Sequence, residues 1–467
     1  MYRSIAALIL VFFALAAEAT RPNIVFILID DLGWRDLGCY GNTFHETPNI
    51  DRLAREGLRF TQAYAAGPVC SPTRASILTG KYPARLQLTD FLKGKRTPEN
   101  APVLPALYAD QLPLEETTLA ELLRAAGYVT AHAGKWHLGG AGFAPEQQGF
   151  ALNLTGNATG GVNSFFWPAW KSAMPLAGRF EGDYLTDRLT DEACAFVRQH
   201  KDQPFFLYLC HFAVHIPLEA KPEKIEKYQA KRAAQPAPDS GHQNPYYAAM
   251  LESLDEGIGS LMDTLRDTGV ADNTLVIFFS DNGGLSVLEG RHTPATTNAP
   301  LRAGKGYLYE GGLRVPCIVR WPRVVPAGAV CDARIISNDF FATLRDAAGL
   351  ETLPGANPPD SVSFRDLLAH PDRQPREERP LFWHYPHYSN QGGDPGAALR
   401  LGPWKLIEWY GDGRCELYNL EEDSGETRDL AAVLPEKCAE LRALLAAWRE
   451  ETHANMPRPN PDFRPAG

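Results

Sequence analysis

Short, unbroken apolar runs constrain the fold of this chain more than any other feature. They are Asn23–Ile29, Val129–Ala133, Phe205–Cys210, Leu275–Phe279 and Val315–Arg320. Runs of this length without polar alternation read as strands buried on both faces, the pattern of a parallel sheet covered by helices. Amphipathic stripes lie between them. Leu119, Leu122, Leu123 and Ala126 precede Gly127, a helix-stopping residue; Leu185, Leu189, Ala193, Phe196 and Val197 form a second stripe. A third runs from Met250 through Leu254, Ile258 and Leu261 to Leu265, and ends before Gly269. Strands alternating with helices predict an α/β sandwich with a large, mostly parallel sheet.

A stretch from Leu353 to Pro380 rich in Pro, Asp and Arg reads as a connection. Beyond it, Leu381–Tyr385, Lys405–Trp409 and Glu416–Asn419 are strand candidates, and Leu441, Leu444, Leu445 and Trp448 mark one face of a final helix. These predict a small α+β subdomain, with an irregular Pro-rich tail from Met456. The expected division is a signal peptide at 1–19, a main domain at 20–350, and the connection plus subdomain at 351–467.

The first residues carry Arg3, then the apolar run Ile5 to Ala17, then small residues around Ala19. That order is the pattern of a cleaved signal peptide, so the mature protein is expected in the periplasm or secreted, with no transmembrane anchor. The formal charge of −10 disfavours nucleic acid as a partner. It still allows a small anion to be held by a local group of cations. The eight cysteines show neither the spacing of a disulfide scaffold nor a CxxC pair for zinc. Cys210 and Cys317, inside strand runs, are expected as buried thiols.

Two runs end in carboxylates. Asn23–Ile29 is followed by Asp30 and Asp31, and Leu275–Phe279 by Ser280, Asp281 and Asn282. The carboxyl ends of parallel strands are where ligands bind in open α/β sheets. Neighbouring buried carboxylates repel unless a cation neutralises them, and an all-oxygen donor set suits Ca²⁺ or Mg²⁺. A helix cap and a simple Asp-Asn-Gly-Gly turn are the plain alternatives. Cys70-Ser71-Pro72-Thr73-Arg74 leads into a predicted helix, with Pro72 near its start, which puts Cys70 at the positive end of the helix dipole.

Cys70-Ser71-Pro72-Thr73-Arg74, continued by Leu78-Thr79-Gly80, resembles the signature of the formylglycine-dependent (type I) sulfatases. Further matches follow in order: Asp30-Asp31, Gly134-Lys135-Trp136-His137-Leu138-Gly139, His215-Ile216-Pro217, Asp281-Asn282-Gly283, Gly304-Lys305-Gly306 and Glu310-Gly311-Gly312. The resemblance spans nearly the whole mature chain and is similar to arylsulfatase-A-like bacterial glycan enzymes. It implies an alkaline-phosphatase-like fold, a cation held by Asp30, Asp31, Asp281, Asn282 and residue 70, and Cys70 converted to formylglycine by a separate maturation enzyme. In that scheme the hydrated residue 70 attacks sulfur, stabilised by Arg74 and Lys135. His215 protonates the leaving alcohol, Lys305 binds the sulfate, and His137 takes the proton that releases it.

For the sugar, Asn298 and Arg302 before Gly304, together with His384 and His387 in an aromatic cluster, are the expected contacts beside Lys135, His215 and Lys305. Trp167 and Trp170 are a candidate platform. The expected substrate is a sulfated saccharide, leaning to galactose or N-acetylgalactosamine 4-sulfate. The competing readings are a phosphonate or phosphate ester hydrolase of the same superfamily and a non-catalytic glycan-binding homologue.

Overall fold

The computed structural model describes residues 21–94, 97–172, 175–235, 243–350, 358–373 and 378–464. The expected signal peptide and part of the expected connection lie outside these residues; the described part of the connection carries a short helix, Arg365–Ala369. In chain order the strands are β1 (Asn23–Ile29), β2 (Leu58–Tyr64), β3 (Val103–Leu104), β4 (Val129–Gly134), β5 (Leu152–Asn153), β6 (Phe205–Cys210) and β7 (Thr274–Ser280). They continue with β8 (Arg314–Arg320), β9 (Ala329–Ile336), β10 (Leu381–Tyr385), β11 (Gly396–Leu401), β12 (Trp404–Trp409), β13 (Cys415–Asn419) and β14 (Arg458–Pro459).

An eight-stranded sheet has the order β5-β4-β6-β1-β7-β8-β2-β9. Its ladders are parallel except the two that β8 makes with β7 and β2. Every residue of β1, β6 and β7 is buried, which is why their sequences show no alternation. Successive side chains still point to opposite faces. Val25, Ile27 and Ile29 pack with Leu189 and Phe196 of helix Leu185–His200 and with Leu254, Ile258 and Leu261 of helix Pro245–Asp267. Ile24, Phe26 and Leu28 pack with Leu119 and Leu123 on the other face, and with Phe340 of helix Asp339–Ala347. The mostly parallel, two-faced sandwich is therefore as expected. Strands β2 and β9 carry half-exposed positions and a register irregularity, so they show no apolar run.

The C-terminal sheet is antiparallel, β10-β11-β12-β13. Leu441, Leu445 and Trp448 of helix Pro435–Glu451 belong to its core. Leu444 does not: it is 40% exposed, because the helix packs along the 441/445/448 row. The tail is also less irregular than expected, since β14 pairs with β3. One core cluster joins the two parts, with Tyr64, Val69, Tyr82 and Leu308 packed among Trp383, Tyr385, Leu399 and Trp409. Among the described residues no helix is long and apolar enough to cross a membrane.

Candidate active site

Strands β1 and β7 lie side by side in register, Ile29 opposite Ser280, so Asp30 and Asp281 emerge together from the sheet's carboxyl end. Asp31 follows with a positive φ of 61° that turns the chain over the sheet edge. Helix Cys70–Thr79 begins at Cys70 itself and is buried throughout. One oxygen each of Asp30 and Asp281 and the Cys70 sulfur all lie within 4.8 Å of one another. Asp30 Oδ1 and Asn282 Oδ1 are buried without a hydrogen-bond partner. Orphaned oxygens at a carboxylate cluster are costly unless something positive meets them. Asp30, Asp31, Asp281 and Asn282 thus fit a hard divalent cation, with oxygen donors that suit Ca²⁺ or Mg²⁺.

Cations of the chain itself surround these acids. Arg74 donates to Asp281 Oδ2 through Nε at 2.9 Å and Nη2 at 2.7 Å, and its Nη1 donates to the Lys135 carbonyl at 2.8 Å. Lys135 Nζ donates to Asp30 Oδ2 at 2.7 Å, and Lys305 Nζ to Asp31 Oδ2 at 2.7 Å. Asn282 Nδ2 donates to Asp31 Oδ1 at 2.7 Å. Burial opposes ionisation of Asp31, yet Lys305, His215 and Lys135 together hold it down at about 2. Asp281 goes the other way, raised by burial and then by the charge of Asp30 beside it. Burial pushes the Cys70 thiol up to about 12, so an unmodified cysteine here is a neutral thiol and a poor nucleophile.

An extended Gly134–Gly139 stretch would put Lys135 and His137 on one face. The strand instead ends at Gly134, and Gly134, His137 and Gly139 all take positive φ. A side chain on Gly134 would collide with the Cys210 carbonyl of the adjacent strand, so the tight turn needs glycine there. The turn sends Lys135 under the sheet edge to Asp30 and His137 into a pocket of about 200 Å³. That pocket is lined by Cys70, Phe91, Leu92, His137, Gly160, His215, Glu289, Lys305, Asn390 and Gln391. His137 bonds the Leu92 carbonyl through Nε2, which leaves Nδ1 buried and unpartnered. His215 bonds the Ile216 carbonyl through Nδ1 at 2.7 Å, with Nε2 3.7 Å from Asp31 Oδ2. Burial, then nearby lysines, depress both imidazoles, His215 to about 4, so both are neutral before an anion arrives.

Of the residues expected to read the sugar, His215 and Lys305 line the pocket, and the others sit elsewhere. Asn298 is buried and bonds the Gly284 amide and carbonyl and the Ala303 carbonyl, stapling two loops. Arg302 donates to Tyr418 Oη and the Glu426 carbonyl and lies over the Tyr309 ring. His384 joins Tyr410 Oη to the Asn455 carbonyl, and His387 bonds Thr89 Oγ1. Trp170 is fully buried, its indole donating to the Leu176 carbonyl, and so is no platform. None of these lines the pocket. Phe91, Leu92, Gly160, Glu289, Asn390 and Gln391 do, and no periodicity in their sequence marks them.

Comparison with known proteins agrees with this geometry. The profile of the family described as Sulfatase matches residues 22–350, and that described as N-sulphoglucosamine sulphohydrolase, C-terminal, matches residues 303–451. A "Sulfatase" of Formosa agariphila is 32% identical, over 93% of this chain and 90% of its own. Human N-acetylgalactosamine-6-sulfatase is 34% identical, over 83% of this chain and 72% of its own. The crystal structure of Ps i-CgsB in complex with k-i-k-neocarrahexaose superposes with a TM-score of 0.76 at 29% identity, covering 92% of this chain and 93% of that one. The mixed eight-stranded sheet with its small antiparallel companion is the alkaline-phosphatase-like fold of these enzymes. On the family match over residues 22–350 and on relatives 32% and 34% identical over most of both chains, the chain belongs to the sulfatase family and is a sulfuric ester hydrolase.

Proposed function

We propose that the chain hydrolyses sulfate monoesters on saccharides of the galactose or N-acetylgalactosamine type, after export, with residue 70 matured to formylglycine and Ca²⁺ or Mg²⁺ held by Asp30, Asp31, Asp281 and Asn282. The carrying observation is the convergence of the Cys70 sulfur with the oxygens of Asp30 and Asp281 at the floor of an accessible pocket. The galactose lean is supported by the N-acetylgalactosamine-6-sulfatase relatives and by the carrahexaose-bound neighbour.

Bound together, the cation and the hydrated aldehyde would supply a polarised sulfate, an attacking hydroxyl, and a carbon–oxygen bond able to break and release sulfate. The chain's own residues do the rest. Arg74 and Lys135, buried against Asp281 and Asp30, place positive charge beside residue 70 and favour its ionised form. Lys305 lines the pocket and offers its remaining ammonium protons to sulfate oxygens. His215 also lines the pocket; an arriving anion raises its affinity for a proton, which it then gives to the leaving alcohol. His137 lines the same pocket, and its Nδ1, unpartnered once Nε2 bonds Leu92, accepts the final proton.

The test is peptide mass spectrometry of residue 70 on protein co-produced with a formylglycine-generating enzyme, alongside turnover of an aryl sulfate. The aldehyde mass should accompany activity, and Cys70→Ala should abolish turnover. Normal turnover by Cys70→Ala, or full activity from protein carrying only the thiol, would refute the reading.

A further inference from the structure

The pocket above Cys70 is built to take an anion, yet it includes a carboxylate. Glu289 lines it together with Lys305, His215 and Gln391. The two new residues come from separate parts of the fold. Glu289 lies on the loop that follows Asp281-Asn282, and Gln391 on the loop between β10 and β11 in the C-terminal subdomain.

Their geometry is set rather than incidental. Gln391 Nε2 donates to Glu289 Oε2 at 2.5 Å. The Gln391 amide cannot turn over freely, because its Oε1 accepts from Ser389 Oγ at 3.2 Å. Its backbone is fixed as well: the amide donates to Ser389 Oγ at 3.0 Å, and the carbonyl accepts from Tyr307 Oη at 2.7 Å. The Glu289 amide donates to Thr293 Oγ1 at 2.9 Å, which pins the other loop. One carboxylate oxygen is therefore committed to Gln391. Among the described residues no side chain bonds the other, Oε1. A carboxylate accepts hydrogen bonds and cannot donate them, so what meets Oε1 must carry a donor. A like charge placed near it is disfavoured in a partly desolvated pocket.

We propose that Glu289, positioned by Gln391, is the specificity residue for the ring that carries the scissile sulfate. Oε1 accepts a hydroxyl or amide proton of that ring, and its charge rejects rings bearing a second anion, whether another sulfate or a uronate carboxylate. The substrate class is then a neutral hexose or hexosamine monosulfate. This rests on the proposed sulfatase reading.

The experiment uses matured full-length protein and the variants Glu289→Ala, Glu289→Gln and Gln391→Ala. The probes are p-nitrophenyl sulfate, the 4- and 6-sulfates of galactose and N-acetylgalactosamine, and their 4,6-disulfates. In Glu289→Ala the ratio of kcat/KM on the best monosulfated sugar to that on the aryl sulfate should fall at least tenfold. In Glu289→Gln, which keeps an acceptor and loses the charge, the preference for monosulfate over disulfate should fall at least tenfold. Gln391→Ala should shift both ratios the same way and by less, chiefly through KM. Ratios within threefold of the parent overturn the proposal, and so does an equal proportional loss on sugar and aryl sulfates, which would mean that Glu289 acts only through Lys305. Failure of the sulfatase reading looks different: the parent, with the aldehyde mass at residue 70, turns over none of the probes.

Discussion

Replacing Lys405 with methionine should loosen the small subdomain from the catalytic one, and the loss should grow with pH. Lys405 is fully buried in β12, with Nζ 3.1 Å from Glu310 Oε1 and 2.8 Å from Glu426 Oε1. Both carboxylates are fully buried as well. Tyr64 Oη donates to Glu310 Oε2 at 2.8 Å, the Glu310 amide donates to Glu426 Oε2 at 2.7 Å, and Arg400 stands 3.7 Å from Glu310. Removing one partner of a buried ion cluster leaves charge uncompensated and costs roughly 3–5 kcal/mol. With about 2 cal/mol/K of unfolding entropy per residue, a chain of this size loses roughly 1 °C of Tm per kcal/mol, so the drop near neutral pH is about 3–5 °C. Burial raises Glu426 to about 7 even with Lys405 present to oppose it. Its folded form therefore binds protons more tightly than its unfolded form, and it costs stability as pH rises from the ordinary carboxylate range through 7. Without the lysine this cost deepens, so the Tm drop at pH 8 should be at least twice that at pH 5. Adding Glu426→Gln to the variant should recover most of it. Calorimetry or circular dichroism at both pH values decides. An unchanged Tm at pH 8, or a drop that ignores pH, would refute the account.

Two further outcomes follow from the site. Protein stripped with a chelator should gain about 2.7 kcal/mol, roughly 3 °C in Tm, when Ca²⁺ or Mg²⁺ is supplied at about a hundred times its dissociation constant; Asn282→Ala, which removes an orphaned oxygen donor, should shift that response to higher metal concentration, as read by thermal shift. His215→Asn should lower kcat on sugar sulfates by about 10²–10⁴ but on p-nitrophenyl sulfate far less, because a good leaving group needs little protonation; equal losses on both substrates would remove His215 from the proton-donor role.

What the sequence disclosed tracks how each element is solvated. Strands β1, β6 and β7 were legible because both their faces are buried, and Asp30 and Asp281 became legible with them as residues at those strands' ends. Strands β2, β9 and β11 were not. The first two mix buried and half-exposed positions, and β11 (Gly396–Leu401) opens with glycine and two alanines that look like loop. Lys135 and His137 were found by motif, but they converge through a left-handed turn rather than through strand alternation. Several of the expected sugar contacts lie away from the pocket for a different reason. His384 and His387 look like ligand contacts by type, yet tertiary packing uses their ring nitrogens to hold Tyr410, Asn455 and Thr89. The residues that do line the pocket arrive on separate loops, from both parts of the fold, so their proximity has no local signal.

Charge balance at the centre argues for the ester it should prefer. Asp30, Asp31 and Asp281 face Arg74, Lys135 and Lys305, so three acids meet three bases and the buried set is neutral before any metal. Before an ester arrives the histidines add no charge, because burial depresses both, and Cys70 is held protonated. A divalent cation would leave the set at about +2, the proton that His215 takes up on binding being offset by the Glu289 carboxylate in the same pocket; a singly charged ester and one ionised hydroxyl on residue 70 would cancel that charge. A sulfate monoester carries one negative charge, as does a phosphonate monoester. A phosphate monoester, with a second pKa near 6, carries about two at pH 8 and would leave an unbalanced anion in a buried site. Aryl sulfate should therefore be turned over best, an aryl phosphonate monoester should be the better side substrate, and aryl phosphate the worst at pH 8. The phosphate disadvantage should narrow towards pH 5, where that ester gains a proton. Steady-state kcat/KM on the three esters at both pH values tests this, and a preference for phosphate at pH 8 would show that charge matching does not govern the site.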